Sequence, residues 1–152
     1  MDFQIGTKKV TSGQRKKHHS QFSRRESEKI RKAKRHVLDL WLKRGIKTSD
    51  HLQVKIRNNE TKFSYKRAME CLLNGQVIEY NEINGDKRIL VRSNVGHVHK
   101  HIDNIVVQCV VVSLISGKVV TAYLNTTDDR HKTLDLRRYD ETLKVVLPKY
   151  MR

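Results

Sequence analysis

The chain has 152 residues, with 32 Lys and Arg against 16 Asp and Glu, giving a formal charge of +16 and a pI near 10.1. That length suits one ordinary domain with an appendage and is too short for two domains with separate cores, and the charge points to a polyanionic partner. The longest apolar run, Ile105 to Ile115, is interrupted by Gln108 and Ser113, and Met1 to Val10 lacks the apolar centre of a signal peptide, so a cytoplasmic protein with no membrane association is expected.

Residues 1 to about 19 include the run Arg15-Lys16-Lys17-His18-His19 and show no apolar period, so they are expected to stay mobile until bound. Between Ser20 and Arg44 the apolar residues Phe22, Ile30, Val37, Leu38, Trp41 and Leu42 fall near helical spacing among Lys and Arg, which predicts a long basic helix stopped by Gly45. The first fifty residues hold 15 basic and 5 acidic side chains, the larger part of the total excess. A charge concentrated in this way reads as a nucleic-acid contact. The candidate contact residues are Arg15, Lys16, Lys17, Arg24, Arg25, Arg31, Lys32, Lys34 and Arg35, with Lys66 and Arg67 further on.

Ser49 or Asp50 can cap a second helix, which Asn58-Asn59 weakens, and a third helical segment runs from about Thr61 to Leu73 before Asn74-Gly75. The period then becomes two. Gln76–Glu82 and Lys87–Arg92 flank an Asn84-Gly85 hairpin turn, and Ile105–Leu114 and Lys118–Leu124 flank Ser116-Gly117. Thr126 to Glu141 reads as a loop, and Leu143 to Leu147 as an edge strand before Pro148. The expected fold class is α+β, with N-terminal helices followed by a twisted antiparallel sheet of four to five strands. The chain is read as a basic arm and helix over 1–45 and an α+β domain over 46–152.

Cys71 and Cys109 belong to no C-x-x-C pair and sit in apolar surroundings, as core thiols do. The chemistry-bearing residues lie elsewhere. In "SDHLQVKIR", His51 follows two capping residues and Lys55 stands one turn later on the same face. A helix N-terminus disfavours imidazolium, leaving a ring able to accept a proton near neutral pH. Such a pair suits RNA cleavage by its own 2′-hydroxyl, in which a base takes the hydroxyl proton, cations stabilise the phosphorane and an acid protonates the leaving 5′-oxygen. That reaction requires no metal or other cofactor, and none is expected. His97, His99 and His101 alternate and would face one way if extended. With Asp103 they could bind a metal, but a mobile histidine-rich loop offering a proton donor is the preferred reading. Tyr123 stands near the end of the last hairpin strand, where a sheet edge could present it to a ligand. Aromatic residues make up 6% of the chain, too few for a platform built mainly on base stacking.

"SDHLQVKIR", "LLNGQVIEY" (Leu72 to Tyr80) and "VVVSLISGKVVTAYL" (Val110 to Leu124) together resemble, in order, a small domain of uncharacterised function in the RelE and barnase-like superfamily. The segment around His51 is also similar to the helix that bears a catalytic histidine in a phage early-mRNA endoribonuclease of this fold. The resemblance covers roughly residues 49 to 125. It implies a metal-independent endoribonuclease, a phage or toxin-like host-control factor, with His51 as base or acid and Lys55 or Arg57 as phosphate-binding cations. The second catalytic histidine of that enzyme has no counterpart between Phe63 and Leu73, so His97, His99, His101 or Lys66 would supply the acid. The expected partner is RNA, with DNA, the ribosome or a host protein as alternatives. The alternative functions are a non-catalytic nucleic-acid-binding or assembly protein, and an inhibitor of a host nucleic-acid enzyme.

Overall fold

The computed structural model describes residues 14–61, 63–99, 102–127 and 135–152. Its elements are β1 (Gln14–His18), α1 (Arg24–Arg44), α2 (Asp50–Arg57), α3 (Tyr65–Asn74), β2 (Gln76–Ile83), β3 (Asp86–His99), β4 (Ile102–Ser113) and β5 (Val119–Thr126), with short 3-10 turns at His19–Gln21, Leu136–Arg138 and Lys149–Met151. The five strands form one antiparallel sheet in the order β1-β2-β3-β4-β5. The class is α+β, but the helices are not simply N-terminal: β1 precedes them, and they connect it to β2. No helix among the described residues is long and apolar enough to cross a membrane.

The helices pack on one face of the sheet. α1 buries Ile30, Ala33, Val37 and Trp41, α2 buries Leu52, and α3 buries Ala68, Cys71 and Leu72. They meet Tyr80, Ile89, Val91, Val110, Val112 and Ala122 from the strands in one apolar cluster. Each large aliphatic side chain removed from water there contributes about 1.5–3 kcal/mol. Two devices fix the helix positions. The Trp41 indole Nε1 donates to the Gly117 carbonyl at 2.8 Å, so a core aromatic also ties α1 to the β4–β5 turn. At Gly75 a Cβ would lie 2.4 Å from the Cys71 carbonyl oxygen and 2.6 Å from that of Arg92, so only glycine lets the end of α3 press on β3. Both cysteines are buried and free. Cys71 donates to the Gln108 carbonyl, and burial pushes its thiol up to about 12.

Three expectations are corrected. First, residues 14–18 form the sheet's first strand. The run Arg15-Lys16-Lys17 hides an alternating strand, because the residue turned inward is itself charged: Lys17 is 5% exposed and donates to Glu26 Oε1 and to the Leu143 carbonyl, each at 2.9 Å. Second, Leu143 to Leu147 is not a strand. The period of two is real, since Leu143, Val145 and Leu147 are buried and the residues between them are exposed. Its backbone, however, bonds to side chains where a ladder was expected. Val145 N donates to Glu26 Oε2 at 2.8 Å, the Val145 carbonyl accepts from Lys29 Nζ, and the Val146 carbonyl accepts from the Tyr80 hydroxyl. Third, His97 and His99 belong to β3 and not to a loop. His101 lies outside the described residues.

Glu26 is the common partner of the first two corrections. It closes the capping box of α1 by accepting from Ser23 N at 3.0 Å while its own N–H bonds to Ser23 Oγ. The same carboxylate holds Lys17 of β1 and Val145 of the C-terminal segment. Desolvation pushes its pKa up, but the Lys17 bond, the Ser23 and Val145 amides and the Lys17 charge together outweigh it, and the group falls from 4.5 to about 2. Because the folded value lies below the unfolded one, the stabilisation is complete above pH 4.5 and is lost as pH falls from there toward 2. Glu26→Gln is expected to cost roughly 3–5 kcal/mol at neutral pH, by leaving the Lys17 charge buried and uncompensated. It should also flatten the acid limb between those pH values. Urea unfolding followed by circular dichroism over a pH series checks both outcomes.

Candidate functional site

The free edge of β5 organises the first candidate site. Ser49 caps α2, its Oγ accepting from Leu52 N and donating to the Val120 carbonyl at 3.1 Å. A short parallel bridge between Thr48 and Val119, with bonds from Ser49 N to the Val119 carbonyl and from Val119 N to the Lys47 carbonyl, lays this N-terminus along the strand. Leu52, 1% exposed, fills the core beneath, so His51 turns outward and Lys55 follows on its face.

The chain then reverses. Asn59 adopts φ 56, a left-handed conformation that asparagine tolerates better than most residues. Glu60 N donates back to the Lys55 carbonyl at 2.9 Å, the Asn58 side-chain amide reaches Glu60 Oε2 at 3.3 Å, and Thr61 Oγ1 donates to the Ala122 carbonyl at 3.5 Å. The result is a cleft of about 280 Å³ between α2 and β5, bordered by His51, Lys55, Glu60, Thr61 and Thr121. An imidazole, an ammonium, a carboxylate and the Thr61 hydroxyl thus border one concave surface, whereas Thr121, paired with Val111, turns its side chain to the other face of the sheet. His51 and Lys55 are legible from their spacing, whereas Glu60 and Thr61 are not, because the weak helix end expected at Asn58-Asn59 is a left-handed turn that brings Glu60 back beside Lys55.

Other expected members of the site lie elsewhere. Arg57, the exposed last residue of α2, does not border the cleft. Tyr123 borders it from β5, with its phenol toward Cys109, its cross-strand partner. Burial, then Cys109, pushes that phenol up, so it remains a hydroxyl. His97 pairs across the sheet with Val106, which pairs with Thr126. It therefore stands two strands over and four residues along from Ala122, roughly 16 Å from the cleft wall by strand geometry. His99 is farther still, at the end of β3. His97 Nδ1 is buried without a partner, and desolvation, then the Arg67 charge and His99, lower its pKa. Among the described residues no group of three His, Cys, Asp or Glu side chains is arranged to hold a metal ion.

The basic residues divide similarly. Lys17 is committed to Glu26, Arg15 pairs with Asp140 at 2.6 Å, and Lys16 lies 5.7 Å from the centre of the Tyr139 ring. Arg67 stands 3.9 Å from Glu70. Arg24, Arg25, Arg31, Lys32 and Arg35 are exposed along α1, as is Lys66 on α3. Lys34 is half-buried and donates to the Gly75 carbonyl.

The reversal at Asn59 is open to a direct check. Asn59→Val should destabilise the protein by about 1–2 kcal/mol, because a β-branched side chain resists a positive φ, while Asn59→Gly should be nearly neutral. Chemical denaturation of the two variants compares them.

Comparison with family models, with curated proteins and with solved structures finds no match for this chain.

Proposed function

We propose that the protein is a metal-independent endoribonuclease that cleaves RNA by attack of its own 2′-hydroxyl, working in the cleft between α2 and β5. The observation that carries this reading is that His51, Lys55 and Glu60 border a single cleft at a strand edge. With Glu60 beside it, the base role expected for His51 passes to the carboxylate, the less basic group and so the one that stands ready to accept a proton, and the imidazole acts as the acid in its protonated form. Glu60 takes the proton of the 2′-hydroxyl and the 2′-oxygen attacks phosphorus. The bond from phosphorus to the 5′-oxygen breaks, and His51 gives that oxygen its proton. Lys55 stabilises the charge on the phosphorane, and the Thr61 hydroxyl orients the ribose-phosphate. The products are a 2′,3′-cyclic phosphate end and a 5′-hydroxyl end. This assignment places the acid and base within the cleft and needs neither His97 nor His99. The resemblance of this segment to the RelE and barnase-like superfamily supports the same chemistry.

A second reading is a nucleic-acid-binding protein that uses charge alone. The exposed basic residues of α1 favour it.

Purified protein should generate 2′,3′-cyclic phosphate ends from RNA in the presence of a chelator, and His51→Ala should lower the rate by about 10²–10⁴-fold with little change in RNA affinity. An RNA with sulfur in place of the bridging 5′-oxygen has a leaving group that needs no proton. It should restore cleavage by His51→Ala but not by Glu60→Gln. Absence of cyclic phosphate ends with the intact protein would leave the charge-only reading.

A further inference from the structure

A second concavity, made of two adjoining pockets, lies around the start of β2. One, about 310 Å³, lies between the His19–Gln21 turn, the start of β2 and an irregular stretch of β3, and includes Ile78, Arg92, Asn94 and Val107 in its lining. The other, about 380 Å³, lies between α1 and the start of β2 and includes Phe22, Arg31 and Lys34. His19 and Gln76 border both, and their side chains meet at 3.3 Å, forming the ridge between them. The two pockets therefore read as one furrow.

Its chemistry is one-sided. Arg92, Arg31, Lys34 and His19 border the furrow, and among the described residues neither pocket has an Asp or Glu in its lining. Arg92 is the most telling of these residues. Nη2 donates to the Thr126 carbonyl at 3.0 Å, Nη1 is buried with no acceptor, and no carboxylate among the described residues pairs with the guanidinium. A half-buried guanidinium without a counter-charge is costly, and an anion in the pocket would offset that cost. The β3 backbone is shaped around this point, because the register slips between Arg92 and Gly96 and puts Ser93 and Asn94 into the pocket wall. Bulges commonly re-aim side chains beside a site in this way.

We propose that this furrow binds single-stranded nucleic acid, with one backbone phosphate at Arg92 and His19 and another at Arg31 and Lys34. A compact anion would occupy one pocket and leave the other empty. A phosphodiester chain repeats its charge at each nucleotide and places a flat, largely apolar base between charges. Half-buried Phe22 on one side of the ridge offers apolar surface to a base, and the buried Ile78 and Val107 form the apolar floor on the other. The furrow shares no lining residue with the His51 cleft and is a separate site.

The test uses a 5′-labelled 2′-O-methyl oligoribonucleotide, which cannot be cleaved, so its result does not depend on the nuclease reading. Binding is read by fluorescence anisotropy. Gln76→Glu places a negative charge on the ridge at an exposed side chain, while Asn84→Asp makes the same charge change at the far end of β2, in a turn whose φ of 50 aspartate tolerates. Gln76→Glu should weaken binding about fivefold, and Asn84→Asp should change it little. Arg92→Gln should weaken binding and reduce the salt slope by about one. Thermal melting confirms that each variant is folded. Equal losses from Gln76→Glu and Asn84→Asp, absence of oligonucleotide binding by the intact protein, or equally effective displacement by polyglutamate of matched charge would each overturn the proposal.

Discussion

One buried carboxylate holds three parts of this chain together. Glu26 joins the first turn of α1, the lysine at the inner face of β1, and the C-terminal segment at Val145. A buried ion pair is weak evidence of net stability, since desolvating two charges costs nearly what their attraction returns. Its contribution here is better understood as selection of register. The first strand has almost no apolar residue to choose its inner face, and a slip of one position would exchange Lys17 for Lys16 or His18. A slip toward His18 would take the ammonium away from Glu26 Oε1 and the Leu143 carbonyl, and a slip toward Lys16 would keep an ammonium there but pull Arg15 from Asp140. Electrostatic satisfaction thus does for β1 what hydrophobic alternation does for β4.

The sheet has two edges and closes them by different means. At β1 the C-terminal segment runs alongside, with one backbone bond from Asp140 N to the Lys16 carbonyl and the Arg15–Asp140 pair beside it. At β5 a short bridge at Thr48 covers the start of the strand, and hydroxyls then take over, Ser49 bonding the Val120 carbonyl and Thr61 the Ala122 carbonyl. Edge carbonyls must find donors, but a hydroxyl on a turn satisfies one without bringing a full strand against it. The cleft between α2 and β5 is the space this leaves. Site and edge protection therefore have the same origin.

Legibility in the sequence followed the kind of force involved. Where apolar burial sets the structure, as in the inner face of α1 and in the hairpins at Asn84-Gly85 and Ser116-Gly117, periodicity and turn residues were sufficient. Where polar groups set it, they were not. Arg15-Lys16-Lys17 looks like a solvated tail because its inward residue finds its partner only after folding. Leu143 to Leu147 keeps a strand's alternation, yet its backbone bonds to Glu26, Lys29 and Tyr80, partners that no local pattern reveals. The candidate cleft divides along the same line. His51 and Lys55 are one helical turn apart and readable. Glu60 comes back to Lys55 only through the left-handed Asn59, and His97 is held away by the register of β3 on β4.

Charge placement then bears on how binding and chemistry relate. At physiological ionic strength the Debye length is about 8 Å, so a cation acts only on sites within roughly that distance. Along α1, Lys34 lies ten residues before Arg44, about 15 Å along the axis. Lys34 borders the furrow at the start of β2, whereas the Trp41 bond to Gly117 sets the Arg44 end of the helix against the β4–β5 turn, on the side where α2 meets β5. Lys34 is therefore screened from the cleft and Arg44 from the furrow, while Arg92, which borders the furrow and bonds the Thr126 carbonyl of β5, is near enough to act on Tyr123 at the cleft. The large positive charge does not act as one field. Along α1 it separates into local groups at the two ends of the helix.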